Sequence, residues 1–321
     1  MTRAICTLLL CSPFNIPAAQ SIQNFELKPP PFKVAASYYQ NIGFLDSRHD
    51  TSMIGIVSAG FTRKGDDEIR LPSSFLPQLT RFVAAVTSGS GQGSLLFQLR
   101  KFRFVEESGT RYCYLDATLY ARYGERYKRL VTMDTVLLLD GSDPYYSLDR
   151  EGNRALSRFL TGGVSLLPAD SSAYDLYDVM HIDSIEKAGM PLYNSETLTD
   201  GIYTQYASFR QQVPDWKAAV RTRKDGTIVS LKALGSGGKP YPVDPANLYA
   251  LVYEGHPYIV TQYGFYPLQK LMGEFYCTAD VSVSYGSVRG GGSRGTYYLM
   301  VDHRNGELVH LKAIARSDNG N

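Results

Sequence analysis

The sequence predicts an α+β protein, in which an N-terminal antiparallel sheet carries two helices on one face and a smaller, mainly antiparallel β domain follows. Three observations predict this class. The 321 residues are enough for two domains. Strand-length segments with alternating apolar and polar residues recur along the chain, and two longer segments before residue 163 have helical periodicity. Hydrophobic residues make up 44% and charged residues 20%, as in globular proteins.

The first twenty residues have the pattern of a cleavable secretion signal. Arg3 supplies a positive charge, residues 5–13 form an apolar stretch too short to span a bilayer, and residues 17–19 are small at the expected cleavage site. Cys6 and Cys11 both lack the small preceding residue of a bacterial lipoprotein. We therefore expect a periplasmic or extracellular protein without a lipid anchor, with association to the outer membrane left open.

The first domain is predicted over residues 21–163. A Pro-rich leader precedes strands at 34–45 and 52–61, and apolar residues at helical spacing predict an amphipathic helix at 72–87. Three longer strands and a second helix follow. Their expected bounds are 95–105, 112–122 and 130–139 for the strands and 150–161 for the helix.

The alternation of apolar and polar residues is clearest in residues 112–122. One face of this strand should therefore belong to the core and the other should face solvent. The phase of the alternation changes at Arg100 and Lys101 in the preceding strand. Such a change predicts a β-bulge there.

A linker is predicted at residues 164–192, where Pro, Gly and Ser accompany few apolar residues. The second domain is expected over 193–315 and a flexible tail over 316–321. It begins with a turn into a strand near residue 202 and a short helix at 206–212. Further strands are expected at 228–234, 248–253, 257–262, 276–285, 296–302 and 308–312, with Asp-Gly, Glu-Gly and Asn-Gly turns between some of them.

Two short resemblances accompany this plan. Asp46-Ser47-Arg48 followed by Ile54-Gly55 resembles small α/β modules of Gram-negative envelope lipoproteins, in which a strand ending in Asp-x-Arg precedes one beginning with Ile-Gly. Parts of the second domain are similar to uncharacterised secreted proteins of Bacteroidetes-type bacteria. Those parts are residues 198–203, 208–210, 214 and 297–307. Both resemblances imply a periplasmic or surface protein, and neither implies a chemistry.

Two glycine-rich strings overlap at residues 290–295. Gly291 to Gly295 matches the nucleophile string of hydrolases around Ser293, and the overlapping string matches a dinucleotide-binding fingerprint. Both motifs require a helix directly after the glycines. Because residues 296–302 have the pattern of a strand, a flexible hairpin loop is the expected structure, and no cofactor is predicted.

His181, Asp183 and Glu186 are the His and carboxylate residues clustered closely enough to suggest a metal site. They lie in the predicted linker, whereas metal ligands usually converge on rigid elements. We therefore expect a solvated polar segment and no metal. The remaining histidines are isolated in the sequence, so a hydrolase would require His256 or His303 to meet a carboxylate and Ser293 in one cleft.

A basic, aromatic strand face is the candidate binding surface. Its residues are Arg100, Arg103, Tyr112, Tyr114, Tyr120 and Arg122. Arginine pairs bidentately with phosphate and carboxylate, so this face suits an anionic glycan or lipid headgroup. An ordinary solvated strand face has the same composition. A tyrosine-lined surface in the second domain is a second candidate, formed by Tyr249, Tyr253, Tyr258, Tyr263, Tyr266, Tyr276 and Tyr285.

We expect a non-enzymatic envelope protein that binds a partner protein or an envelope component. A glycan- or lipid-binding protein with a concave Tyr- and Arg-lined cleft is the alternative, and a hydrolase the third hypothesis. The net charge of +2 is too small to attract nucleic acid, and no later apolar run is long enough for a transmembrane helix. The pairing of Cys113 with Cys277 and the oligomeric state stay open.

Overall fold

The computed structural model describes residues 22–58, 66–88, 91–107, 110–139, 144–169, 172–284 and 292–314. Within these ranges it has six α-helices and five sheets, and the strands pair antiparallel except for two parallel pairs. This confirms the predicted α+β class. The predicted signal peptide, residues 1–20, and the tail, residues 316–321, lie outside the described residues.

The first half forms one four-stranded and one three-stranded sheet with two helices. The elements are β1 (Ile22–Asn24), β2 (Tyr39–Asp46), β3 (Gly55–Ser58), β4 (Asp66–Arg70), α1 (Leu76–Val86), β5 (Gly93–Glu107), β6 (Thr110–Tyr123), β7 (Arg126–Leu138) and α2 (Pro144–Gly163). The sheet orders are β2-β5-β6-β7 and β1-β4-β3. The sequence missed the short β1 and β4, and it placed the long strands and both helices correctly apart from their ends.

Both helices pack on one face of the four-stranded sheet, as predicted. The apolar residues of β6 alternate with polar ones, so Leu115, Ala117 and Leu119 project to that face and are fully buried. Phe82 of α1 and Leu160 of α2 belong to the same buried cluster. The apolar face of each helix therefore packs into the core of the first half.

The predicted linker contains three short helices, α3 (Leu176–Met180), α4 (Ile182–Ala188) and α5 (Pro191–Asn194). Tyr174, just before α3, pairs with Tyr127 of β7, and Val179 of α3 is buried against Tyr120 of β6. Tyr193 of α5 instead packs in the second half. The segment thus lies across the sheet face opposite α1 and α2.

The second half is built from short antiparallel strands. They are β8 (Gly201–Tyr203), β9 (Lys217–Thr222), β10 (Ile228–Leu234), β11 (Pro240–Pro242), β12 (Ala250–Tyr253), β13 (His256–Thr261), β14 (Gly264–Pro267), β15 (Gln269–Leu271), β16 (Glu274–Ser284), β17 (Gly292–Val301) and β18 (Leu308–Ala313), with α6 (Tyr206–Gln211) after β8. They form sheets in the orders β11-β10-β9, β14-β13-β12-β8 and β15-β16-β17-β18. Two buried clusters lie among these sheets.

Among the helices of the described ranges, none has the length and apolar character needed to cross a membrane.

Candidate functional site

The junction between the two halves begins with a bulge in β5. The pairing of β5 with β6 shifts register between Leu99 and Lys101, which leaves Arg100 as the extra residue. A bulge re-aims the side chains of the bulged strand. Arg100 and Lys101 both contact residues of the second half. The bulge predicted from the sequence is confirmed, and it places two cations at the junction.

Arg100 attaches α4 to the sheet. Its side chain is 5% exposed, its Nη2 donates to Glu186 Oε2 over 2.8 Å, and it also donates to Asp183. Its Nε lies 3.9 Å from Asp116 Oδ2 of β6. Arg129 of β7 brings a second guanidinium to Glu186, with Nη2 3.3 Å from Oε1. The short helix α4 is thus held against the sheet by charge-assisted hydrogen bonds.

Residues 302–307, between β17 and β18, form the opposite side of the junction, and we call them the docking loop. Asp302 accepts a hydrogen bond from Lys101. Arg304 Nη1 donates to Asp116 Oδ1 over 2.5 Å. The docking loop therefore makes ion pairs with two neighbouring strands of the first half.

Two further side chains of the docking loop contact the first half and the helices beside it. The Nε2 atom of His303 lies 3.1 Å from Glu186 Oε2. Asn305 donates to Asp134 Oδ2 of β7 over 2.8 Å. With Lys101 of β5 and Asp116 of β6, the contacts of the docking loop span four elements, so it fixes the second half in one orientation on the sheet.

Tyrosines of the second half hold the docking loop in shape. The Tyr206 hydroxyl donates to the His303 carbonyl over 2.6 Å, and the Tyr249 hydroxyl donates to the Gly306 carbonyl over 2.8 Å. Gly306 has a φ of 79°, and a Cβ atom there would lie 2.2 Å from Tyr206 Cγ. Only glycine fits this close approach.

The charges of the junction balance. Four cations, Arg100, Lys101, Arg129 and Arg304, meet four carboxylates, Asp116, Asp183, Glu186 and Asp302. Burial raises the pKa of Asp116, an effect that the charges of Arg100 and Arg304 only partly offset. A buried network of this kind favours one specific arrangement more than it adds stability.

In two carboxylates of the junction, the interactions with partner side chains change the pKa more than burial does. Burial alone would raise the pKa of Glu186, but the hydrogen bond with His303 and the interaction with Arg100 outweigh it and lower the pKa to about 2. Burial of Asp302 is likewise outweighed by Lys101, so its pKa lies below the ordinary value. Both groups are therefore charged at neutral pH.

The predicted metal trio is only partly brought together. Ligand atoms of Asp183, Glu186 and His303, not His181, lie within 4.8 Å of one another. His181 is exposed, and its Nδ1 lies 2.8 Å from the Tyr177 carbonyl oxygen. The guanidinium of Arg100 bonds both carboxylates, so a protein cation already neutralises the position that a metal would take. The arrangement is that of an ion-pair cluster.

A cavity of about 380 Å³ lies beside this cluster, in contact with both halves. Its apolar lining comes from Met53, Ile54, Phe102, Phe104 and Val105 of the first half and from Met300, Val309 and Leu311 of β17 and β18. Its polar lining is Arg48, His49, Asp50, Arg100, Lys101 and Arg103. Four cationic side chains and one carboxylate thus surround a largely apolar space, and the volume is within the usual range for small-ligand sites.

The segment 46–54 forms one wall of the cavity and contains the Asp-x-Arg string. The Arg48 side chain is 3% exposed, and its Nε and Nη2 donate to the two carboxylate oxygens of Asp46 over 2.9 and 2.8 Å. It also donates to the carbonyls of Thr51 and Met53, each over 3.2 Å. Arg48 therefore determines the shape of the loop between β2 and β3.

Gly55 of the Ile-Gly string ends this wall. A Cβ atom at Gly55 would lie 2.5 Å from the Phe104 carbonyl oxygen and 2.9 Å from Phe104 Cβ. The glycine lets β3 start directly against β5. The Asp-x-Arg and Ile-Gly strings thus both build the cavity wall.

The predicted binding face is covered at its centre. Tyr120 has no exposed surface and Tyr114 is 8% exposed, because α3, α4 and the docking loop lie over this side of the sheet. The Tyr120 hydroxyl donates to Gln98 Oε1 over 3.1 Å. Arg100 is occupied by the carboxylates of α4. The alternation of β6 predicted a solvated face, but distant residues of the chain cover it.

The remaining residues of the predicted binding face do not lie together. Arg103 lines the cavity and donates to the Leu311 carbonyl over 2.7 Å. Tyr112 is half-buried, while Arg122 lies at the far end of β6, where it pairs with Glu125 at 3.2 Å. Only Arg100 and Arg103 of the six meet at the cavity.

The predicted tyrosine surface is largely packing. Tyr249 and Tyr266 pack against one buried cluster of the second half, and Tyr253 and Tyr258 pack against the other. Tyr276 is 9% exposed and stacks on Tyr298 with ring centroids 5.5 Å apart. Tyr285 lies outside the described residues.

The hydrolase string is remote from His303. Residues 292–295 belong to β17 and not to a hairpin loop, while Gly290 and Gly291 lie outside the described residues. Ser293 is eight residues before Val301, which places it roughly 26 Å along the strand from the start of the docking loop. His256 is exposed at the start of β13. The length of β17 therefore separates the backbone of Ser293 from His303, and these two residues do not meet as the hydrolase hypothesis required.

The two cysteines of the described chain are free and buried in different cores. Burial raises the pKa of the Cys113 thiol well above its ordinary value and that of Cys277 to about 12. They act as small apolar core residues.

No family model matches the sequence, and no curated protein matches it. Among solved structures, the chain is similar to the crystal structure of a Xanthomonas campestris protein assigned to the family DUF330. The identity is 10% and the TM-score 0.31, over 45% of this chain and 93% of that chain.

Proposed function

We propose that this is a non-enzymatic, exported envelope protein that binds a ligand in the junction cavity. The ligand would combine an apolar group with a negatively charged or hydrogen-bond-accepting group. The observation that carries the proposal is the lining, in which apolar side chains of both halves are bordered by cationic groups. This proposal takes up the alternative of a concave cleft for a glycan or lipid, with arginine but no tyrosine among the lining residues of the cavity.

The electrostatics favour a mainly apolar ligand. Arg48 is paired with Asp46 and Lys101 with Asp302, so much of the positive charge around the cavity is already balanced. Contact with Phe102, Met300 and other apolar lining residues would then supply most of the affinity. The cationic groups would orient the ligand.

The interactions of the His303 side chain favour a binding role over a catalytic one. Within the described ranges, the side-chain hydrogen-bond partners of the His303 ring are Glu186 and Arg100, which place it in an ion-pair network, whereas a catalytic His pairs with a Ser or Cys nucleophile. Export rests on the signal-like first twenty residues. The N-terminal sequence of protein recovered from an envelope fraction tests it, and an unprocessed Met1 would contradict it.

The binding proposal is tested with 8-anilinonaphthalene-1-sulfonate, a fluorescent probe with apolar rings and a sulfonate. Met300 lines the cavity, so Met300→Trp should fill part of it and weaken probe binding at least tenfold. Met272 is 91% exposed at a turn, which makes Met272→Trp the matched control with unchanged binding. Equal affinity in all three proteins would contradict the proposal, with an unchanged unfolding midpoint showing that Met300→Trp is folded.

A further inference from the structure

Strand β5 loses its neighbour beside the cavity. Its parallel partner β2 ends at Asp46, opposite Leu99, and Ser47 N–H donates the last bond on this side to the Leu99 carbonyl over 2.8 Å. The chain then leaves β5 and returns at Ile54, whose carbonyl accepts from Phe104 N–H over 2.8 Å. Between these two bonds the edge of β5 lies along the cavity wall.

Phe102 presents its backbone to this open edge. Alternate residues of an antiparallel strand direct their N–H and C=O groups to the same edge, so Phe102 faces the same way as Phe104. Across the described chain, no group bonds the N–H or C=O of Phe102 on that side. A backbone amide at an apolar wall is a strong recognition group when it lacks a partner.

The open stretch has the length and surroundings of a short strand site. From Lys101 to Phe104 the backbone extends roughly 10 Å, enough for about three residues of an added strand. Met300, Val309 and Leu311 of the second half face it across the cavity. Side chains of an added strand would alternate between this apolar wall and the outside.

The charged groups of the lining select among peptides. Arg48, Arg100, Lys101 and Arg103 line the cavity, against Asp50 as the single carboxylate of the lining. Arg48, Arg100 and Lys101 are already paired with carboxylates, so the lining offers N–H donors and not a net positive charge. An acidic side chain can accept hydrogen bonds from these donors, whereas a basic one would find Asp50 as the single carboxylate of the lining.

We propose that the ligand of the junction cavity is an extended, acidic peptide segment that pairs with β5 at Phe102. This inference rests on the proposed function, because it assigns the chemical class of the ligand for the same cavity. Contact of an apolar side chain with the lining supplies most of the affinity, main-chain hydrogen bonds with Phe102 fix the register of the peptide, and acidic side chains add selectivity.

The test uses full-length ¹⁵N-labelled protein and the peptide acetyl-Asp-Val-Thr-Val-Asp-amide. We expect the peptide to shift the Phe102 amide resonance and to slow its hydrogen exchange at least tenfold. An analogue N-methylated at its internal residues, which lacks the backbone donors, should bind at least tenfold more weakly. The same peptide with Lys in place of both Asp residues should also lose at least tenfold.

The outcomes separate the two proposals. If the anilinonaphthalene probe binds in a Met300-dependent manner but no peptide affects the Phe102 amide, the peptide assignment is overturned and the binding function stands. The peptide assignment would also be overturned if the N-methylated analogue bound as tightly as the parent peptide. Displacement of the anilinonaphthalene probe by dodecanoate, with no binding of the peptide, would overturn it as well. If neither the probe nor the peptide binds, both proposals fail.

Discussion

At the scale of single residues, the junction assigns new roles to side chains that the sequence had grouped differently. Glu186 belonged to a predicted metal trio and Arg100 to a predicted binding face, yet the two are partners at 2.8 Å. They are 86 residues apart, so no local spacing indicates the pair. The sequence shows that both residues are charged, but a charged residue type does not identify the residue with which it pairs.

Glu186 should make the stability of the protein dependent on acid pH. Its pKa falls from an ordinary 4.5 to about 2 on folding, so its contribution is present above about pH 5 and is lost as the pH falls toward 2. The contribution is on the order of 3 kcal/mol. In urea unfolding from pH 7 to pH 2, Glu186→Gln should be less stable at pH 7 and lose less stability in acid.

The matched control for this change is Glu125→Gln, because the Glu125 side chain is 91% exposed. Its unfolding curve should follow the wild type at each pH within about 0.5 kcal/mol. Parallel pH dependence for the wild type and Glu186→Gln would show that Glu186 is not the responsible group.

The two buried thiols should be unreactive in the folded protein. Burial raises the pKa of Cys113 and raises that of Cys277 to about 12, so little thiolate forms at pH 8. In a chain that starts at residue 21, Ellman's reagent should detect no thiol in the native state and two after unfolding without a reductant. A value of zero after unfolding would indicate a disulfide and contradict the structure.

At the scale of elements, the docking loop depends on one turn. Gly306 lies against Tyr206, and the tyrosine also bonds the His303 carbonyl. The Asn-Gly turn signal predicted a hairpin at this place. It did not predict that the turn would present four polar side chains to another sheet.

Replacing Gly306 with alanine should destabilise the docking loop strongly. Alanine at this position would have a strained positive φ, and its Cβ atom would clash with the Tyr206 ring. We therefore expect the free energy of unfolding to fall by about 2 to 5 kcal/mol. Gly238 also has a positive φ, 72°, but a Cβ atom there would meet no described atom within 4 Å. Gly238→Ala is therefore the control, with a loss of about 1 kcal/mol.

Chemical denaturation of both alanine variants, with hydrogen exchange of residues 302–307, separates strain from contact. The exchange of this loop should rise in Gly306→Ala and not in Gly238→Ala. An equal loss of stability in the two variants would mean that backbone strain, not the Tyr206 contact, dominates.

At the scale of the whole molecule, the buried apolar clusters lie within the halves and the charged network lies between them. Phe97 and Leu160 belong to the core of the first half, and Phe209 and Leu299 to that of the second. The predicted boundaries at 163 and 193 stay predictions. The polar character of the junction is consistent with two units held in a specific orientation.

A double-mutant cycle on Asp116 and Arg304 should measure this orientation. The residues are 188 apart in sequence and bond at 2.5 Å. Each single change, Asp116→Asn or Arg304→Met, should cost about 3 kcal/mol because it leaves a buried charge with fewer partners. The double variant should recover about 1 to 3 kcal/mol of the summed loss.

The exposed pair Arg122 and Glu125 provides the reference cycle, since the two side chains are 47% and 91% exposed. Its coupling in the same urea titrations should stay below about 0.5 kcal/mol. Additive effects at Asp116 and Arg304 would show that the junction pair does not couple the halves.

The sequence by itself determined the local structure of this protein. Alternation placed β5, β6 and β7, helical spacing placed α1, and the phase change at Arg100 placed the bulge. These features depend on neighbours within a few residues, which the sequence displays directly. Short strands such as β11 were missed because three residues carry too little pattern.

The tertiary structure alone decided the site. Covering the polar face of β6 required α3, α4 and the docking loop, which come from up to 188 residues away. The cavity arises because the chain leaves β5 after Asp46 and returns at Ile54, while β17 and β18 close the other side. Such proximity depends on long-range packing and charge pairing, and neither periodicity nor composition records which distant residues meet.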